Sequence, residues 1–262
     1  MIDIHTHLLP ACDDGSPDLE TTLSYLDKIS QEGVRDLFFT PHYFLNIYDF
    51  ELAKIKKNFQ RTKKETLNRK IPLTLHLGAE IYLDDQTYED IDFKNLTLGK
   101  TSYLLIETNM KKLSDNFYLL IYKLVKNGYK PILAHPERYA FIKSNIGLAE
   151  DFIHKNIYIQ VNAGSLLGAY GKSATKAAWQ LLEKGFVHFL ASDEHTGGED
   201  YFLSKIKKLV ETKFDDYTFE LLTKINPRRL LLDQDIEYFY LKEDPQATKN
   251  MLRRIFELLF KG

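Results

Sequence analysis

One cysteine in 262 residues leaves no internal disulfide to form, so a framework of extracellular staples is excluded. An excess of one charge is missing too. The 35 basic and 37 acidic side chains leave a net charge of −2, which gives no global pull toward nucleic acid. No run of about eighteen apolar residues occurs, so no spanning helix is expected. The chain opens Met-Ile-Asp-Ile-His without a basic segment leading into an apolar run, so no secretory signal is expected either. No Gly-x-Gly-x-x-Gly or Walker loop appears, which leaves a glycine cradle for nucleotides unsupported. Repeats, low-complexity tracts and Pro/Gly/Ser-rich linkers are absent as well. What is present is an ordinary globular composition, 44% hydrophobic and 27% charged, too apolar for disorder. The expectation is a single cytoplasmic domain over 1–262, of a length that suits the roughly 250 residues of an α/β barrel.

Short apolar runs alternate with helical patterns from end to end. Ile2–His7, Val34–Pro41, Leu73–Tyr82, Ser102–Glu107, Pro131–His135, Ile157–Asn162 and Val187–Asp193 read as strands from their length and their β-branched and aromatic content. Helical spacing runs through Leu19–Gln31, Phe50–Arg69, Asn116–Val125, Ala174–Glu183 and Leu203–Lys213. Ser16 followed by Pro17 is the expected start of the first helix, and Gly33 its stop. This alternation argues for a parallel sheet or barrel. Within Glu51–Lys70, eight basic side chains (Lys54, Lys56, Lys57, Arg61, Lys63, Lys64, Arg69, Lys70) face only Glu51 and Glu65. That segment reads as a solvated helix face, with guidance of an acidic partner or docking on anionic lipid as the alternative. A C-terminal amphipathic helix is expected over 247–260. It would pack on the domain or else make a homo-oligomer or membrane contact.

The chemistry gathers at the ends of the expected strands. His5 and His7 are two apart at the end of the first, so alternation points both imidazoles the same way. Asp14 follows in a loop, and His42 ends the second strand. Glu80, Glu107 and His135 end the next three, and Asp193 with His195 ends the last. In a parallel barrel all these ends open on one face. Any one of them alone would read as a hydrogen-bonded structural residue. Nine together would be very unfavourable without a counterion. Five imidazoles and four carboxylates exceed what one ion can bind, so a bridging carboxylate would share them among two or three. Mixed N/O ligation without thiolate suits Mn²⁺, Fe²⁺ or Zn²⁺. His76, His154 and His188 read as structural.

Ile2-Asp-Ile-His-Thr-His, Asp13-Asp-Gly, Thr40-Pro-His-Tyr, Gly78-Ala-Glu-Ile, Ala134-His-Pro-Glu-Arg-Tyr, Ser192-Asp-Glu-His and Asn226-Pro-Arg-Arg-Leu resemble the polymerase-and-histidinol-phosphatase (PHP) superfamily. More narrowly, the chain is similar to the bacterial manganese-dependent protein-tyrosine phosphatases encoded with capsule and exopolysaccharide genes, from Met1 to about Leu232. The resemblance implies a distorted (β/α)₇ TIM-like barrel with three Mn²⁺ ions and phosphotyrosine hydrolysis by a metal-bridged hydroxide. It places His5, His7, Glu80 and Asp193 on one ion. Glu80, Glu107 and His135 would hold a second, and Asp14, His42 and His195 a third. Asp14 is preferred over Asp13 because the family pattern favours the residue before glycine. Arg138 matches the position that grips phosphate. The implied partner is a phosphotyrosine protein, the tyrosine-rich tail of a membrane-associated kinase, and no nucleic acid is expected.

Three divalent ions against four carboxylates would leave about +2, a field that attracts a phosphate dianion and lowers the pKa of water. His42 or His195 could protonate the leaving group where not committed to metal, although a phenolate leaves readily without help. A thiolate mechanism is excluded: Cys-x₅-Arg would need Arg at position 18, where Asp18 stands. The chain departs from its relatives in having no Arg in Thr196–Leu203, with Lys205 the first basic residue beyond. Two other readings stay open, a PHP small-molecule phosphatase (histidinol phosphate) or phosphodiesterase, and a non-catalytic domain that binds metal. Tyr43, Tyr139 and Tyr170 could flank the cleft, with packing the favoured role.

Overall fold

Most of the strands are buried on both faces, with a hydrophobic interior on one side and a helix layer on the other. In the computed structural model, which describes residues 1–236 apart from positions 46, 49 and 197–200, nine strands form two parallel sheets. The first sheet contains β1 (Ile2–Asp3), β2 (Asp36–Phe39) and β4 (Thr74–Leu77), in that order. The second contains β3 (His42–Tyr43), β5 (Glu80–Tyr82), β6 (Tyr103–Glu107), β7 (Lys130–Ala134), β8 (Tyr158–Asn162) and β9 (Phe189–Ala191), also in that order.

The two sheets are segments of one ring. β2 runs on through Thr40-Pro41 into β3, and β4 runs on through Gly78-Ala79 into β5. The backbone bonds Gly78 N to Phe39 O and Glu80 N to Pro41 O keep the pair in step across the break. The first and last strands meet at their carboxyl ends, where Asp193 N donates to His5 O and His7 N to Glu194 O. Seven expected strands thus become seven passes round a distorted barrel. The correction is to Leu73–Tyr82, which is two strands parted at Gly78-Ala79; a Cβ on Gly78 would lie 3.2 Å from Leu98 Cα and 2.7 Å from its side chain, so glycine fits there.

Alternation fills the interior: Ile2 and Ile4, Phe38, Tyr103 and Leu105, Ile132 and Ala134, Phe189 and Ala191 form one buried cluster, plugged by Leu98, Leu230 and Ile236. The larger cluster lies between the strands and the outer helices. The first helix, Leu19–Gln31, begins two residues later than Ser16 and Pro17 suggest. Asp18 is its N-cap, accepting from Thr21 N, while Ser16 is buried and hydrogen-bonded to Thr22 Oγ1. Gly33 ends it in the left-handed region. The expected Leu203–Lys213 helix is broken into Phe202–Lys205 and Lys207–Lys213. On the basic helix, Leu52–Asn68, Ile55, Phe59, Thr62 and Thr66 face inward while Lys54, Lys57, Arg61, Lys63 and Lys64 are exposed. That is the pattern of a solvated face. The expected amphipathic helix over 247–260 lies outside the described residues. Among the described residues, no helix is long and apolar enough to cross a membrane.

Candidate metal centre

All nine expected ligands converge on the mouth formed by the carboxyl ends of the strands. The tightest group is His5 Nε2, His7 Nε2, Glu80 Oε2 and Asp193 Oδ1. The imidazole nitrogens are 3.1 Å apart, each is 3.3 Å from Glu80 Oε2, and they lie 3.3 and 3.4 Å from Asp193 Oδ1. Donors about 2.1 Å from one ion in a tetrahedron stand about 3.4 Å from one another. These atoms therefore already have the spacing of a coordination shell. Ile2 and Ile4 face the interior, yet His5 and His7 do too, so the alternation slips by one residue between Ile4 and His5.

Glu80 sits at the centre. Its Oε1 is 2.9 Å from His135 Nε2, and its Oε2 is 3.1 Å from His42 Nδ1 as well as near both first-strand histidines. Glu107 Oε1 lies 3.4 Å from His42 Nδ1. Asp14 Oδ1, on the open side, is 3.6 Å from His42 Nε2 and 3.5 Å from His195 Nε2. His42 thus stands between two groups, Glu80 with Glu107 and Asp14 with His195, rather than in the second alone. Glu80 Oε2 and His42 Nδ1 are buried and make no hydrogen bond despite their closeness. A buried carboxylate oxygen and a ring nitrogen left without a hydrogen bond fit places on a shared cation. His135 (φ 37°) and Asp193 (φ 54°) hold left-handed backbone conformations, strain of a kind that concentrates at functional sites.

Charge is arranged accordingly. Burial opposes ionisation of Glu80 and Asp193, but the surrounding imidazoles hold both carboxyls below their ordinary range. Burial also works against the charged ring of His42, yet Glu80 and Glu107 carry its pKa up to about 10. His7 is raised likewise by Asp13, Asp193 and Glu80. In the metal-free protein His42 therefore keeps a proton at neutral pH that a cation must displace. Metal loading is expected to release protons, and apparent affinity to rise with pH below about 10. Calorimetric titration with Mn²⁺ in buffers of different ionisation enthalpy measures this directly. Heats independent of the buffer would contradict it.

The neighbours of the ligands were mostly missed in the sequence. Asp13 Oδ2 is 2.7 Å from His7 Nδ1 and accepts from His42 N at 3.1 Å, so it orients two ligands while Asp14 faces the open mouth. The doublet Asp13-Asp14 signalled one ligand, and nothing local said that both serve. Tyr48 stacks on His42 (5.0 Å, 7°), and no motif marked it. Arg138 Nη1 reaches Asp193 Oδ2 at 3.1 Å, and its guanidinium lies 4.6 Å over the Tyr170 ring. Tyr139 is wholly buried with its ring edge-on to His135, Tyr43 packs on Phe50, and Tyr170 lies against Arg138. The other histidines are structural as expected. His76 bonds Asp36, His154 is exposed, and burial pushes the pKa of His188 down to about 3 while its Nδ1 accepts from Ile159 N.

Gly15 lets this loop close. A Cβ there would fall 1.8 Å from His7 O, the atom that accepts from Ser16 N. Gly15→Ala is expected to destabilise by about 1–3 kcal/mol and to displace Asp13 and Asp14. A melting curve and the metal content of the same sample check both effects.

A family model described as capsular polysaccharide synthesis, CpsB/CapC, matches residues 1–232. The chain belongs to the CpsB/CapC family. Tyrosine-protein phosphatase YwqE of Bacillus subtilis (strain 168) is 31% identical over 258 residues, covering 98% of this chain and 99% of the relative. Putative tyrosine-protein phosphatase CapC of Staphylococcus aureus is 31% identical over 236 residues, covering 90% and 92%. A solved chain from work on YwqE of Bacillus subtilis and CpsB of Streptococcus pneumoniae, described as unique metal-dependent tyrosine phosphatases, superposes with a TM-score of 0.84 at 31% identity. It covers 91% of this chain and 97% of that one.

Proposed function

We propose that this CpsB/CapC chain is a cytoplasmic, metal-dependent protein-tyrosine phosphatase, acting on the tyrosine-rich tail of a membrane-associated kinase that controls capsule or exopolysaccharide synthesis. Three Mn²⁺ ions are the proposed complement, with iron or zinc as alternatives. The observation that carries the reading is the convergence of nine ligands at coordination spacing beside one partly exposed arginine.

When bound, the ions supply Lewis acidity, lowering the pKa of water and neutralising phosphate charge. The protein's own groups do the rest. Asp193 Oδ2 and the Tyr170 ring hold Arg138 in one plane, leaving its remaining N–H groups for phosphate oxygens. His195 Nδ1 is 2.9 Å from the Asp193 carbonyl, which can only accept, so Nδ1 carries the hydrogen and Nε2 presents a lone pair. His195 is thereby set up as a ligand rather than a proton donor, and a phenolate leaves without one.

The test is phosphate release by Mn²⁺-loaded protein from a phosphotyrosine peptide, a phosphoserine peptide, histidinol phosphate and a phosphodiester, side by side. Release from phosphotyrosine that chelation abolishes is expected, and preference for any other substrate overturns the assignment. Cys12→Ser should leave that rate unchanged, because burial raises the thiol pKa and Asp18 stands where a Cys-x₅-Arg loop needs its arginine. A large loss there would restore a thiolate mechanism.

A further inference from the structure

β8 brings no expected ligand to the mouth, yet its inward positions nearest that end are polar: Gln160 and Asn162, both fully buried. Buried amides persist only where each donor meets an acceptor. His5 Nδ1 lies 2.9 Å from Gln160 Oε1, Gln160 Nε2 donates to Asn162 Oδ1 at 2.8 Å, and Asn162 Nδ2 donates to Asp193 Oδ2 at 2.6 Å.

The direction of this chain follows from its end. A carboxylate only accepts, so Asn162 must turn its NH₂ to Asp193. The Asn162 carbonyl then faces Gln160, which must present its own NH₂. The Gln160 carbonyl is left facing His5 Nδ1, which must carry hydrogen. In the neutral ring, the form that binds a cation, His5 Nε2 then keeps its lone pair, 3.3 Å from both Asp193 Oδ1 and Glu80 Oε2. At the other end Asn162 and Arg138 occupy Asp193 Oδ2, leaving Oδ1 to the histidines.

We propose that Gln160 and Asn162 are positioning residues, a neutral amide relay through which the Asp193 carboxylate fixes the tautomer of His5, so that two ligands from different strands are set together before a cation arrives. Neutral amides transmit orientation without adding charge to a mouth that already holds four expected carboxylate ligands. The relay rests on the metal-site reading above.

Asn162→Leu, Gln160→Met and the double variant, each in the full chain, test it. Neither replacement alters an expected ligand. Each single variant is expected to weaken Mn²⁺ binding, measured by competition with a chelating dye, by about 10–100-fold. The double variant should be no weaker than the worse single, because breaking either link frees the same imidazole. In ¹H–¹⁵N spectra of the Zn²⁺-loaded protein, the His5 Nδ1 proton should be protected from exchange in the wild type and exchange rapidly in Asn162→Leu, a residue that does not bond His5. Additive losses, unchanged Mn²⁺ affinity with only a lower melting temperature, or a His5 proton still protected in Asn162→Leu would each overturn the relay. Either single variant carries the test if the other does not fold. A wild-type protein that binds no Mn²⁺ would instead remove the functional reading beneath it.

Discussion

Glu80→Ala is expected to lower turnover of a phosphotyrosine peptide by about 10³-fold, the scale of losing a group that organises transition-state charge. It should also reduce the number of ions retained after dialysis. Glu80 stands against four imidazoles, those of His5 and His7 at 3.3 Å, His42 at 3.1 Å and His135 at 2.9 Å. Its two oxygens face different subsets of them, the arrangement of a bridging ligand. Removing the carboxylate leaves imidazoles confronting one another around a buried void. It also takes away a large part of what raises His42, so fewer protons should be displaced when metal binds. Metal content by mass spectrometry, proton release and turnover should therefore fall together. Unchanged turnover in Glu80→Ala would sink the site assignment outright.

The positions of the ligands were legible in the sequence because a parallel barrel ties sequence to space in a simple way. A polar residue ending an apolar strand lies at the mouth, so His42, Glu80 and Glu107 could be placed by counting strands. What was not legible depends on irregular backbone or distant partners. His5 and His7 reach the cluster only because the alternation slips after Ile4, and His135 only because its backbone turns left-handed before Pro136. The need for glycine at Gly78 comes from the close approach of Leu98, a contact twenty residues along the chain. Asp18 displaced Ser16 as helix cap because Ser16 is buried against Thr22. Gln160 and Asn162 did carry a signal, two amides on the inward face of an otherwise apolar strand. Only strands ending in ionisable residues had been read as bearing on the site.

Arg138→Ala is expected to reduce kcat/KM on phosphotyrosine by about 10²–10³-fold while leaving the bound metal unchanged. Two features of the structure separate those effects. Asp193 Oδ2 has a second donor, Asn162 Nδ2 at 2.6 Å, so the carboxylate stays oriented when the guanidinium is gone. Asp193 Oδ1, the oxygen facing His5 and His7, is not the one that Arg138 touches. The chain has no arginine in Thr196–Leu203, and Lys205 is exposed on the short helix beyond, so in the proposed function the planar grip on phosphate is assigned to Arg138 alone. Arg138→Lys should consequently recover only part of the rate, because an ammonium supplies charge without the two-donor fork and loses the fit over Tyr170. Steady-state kinetics and metal analysis on the same preparations decide it. Loss of metal in Arg138→Ala would make the arginine a support of the ligands, whereas full activity in Arg138→Lys would reduce its role to charge alone.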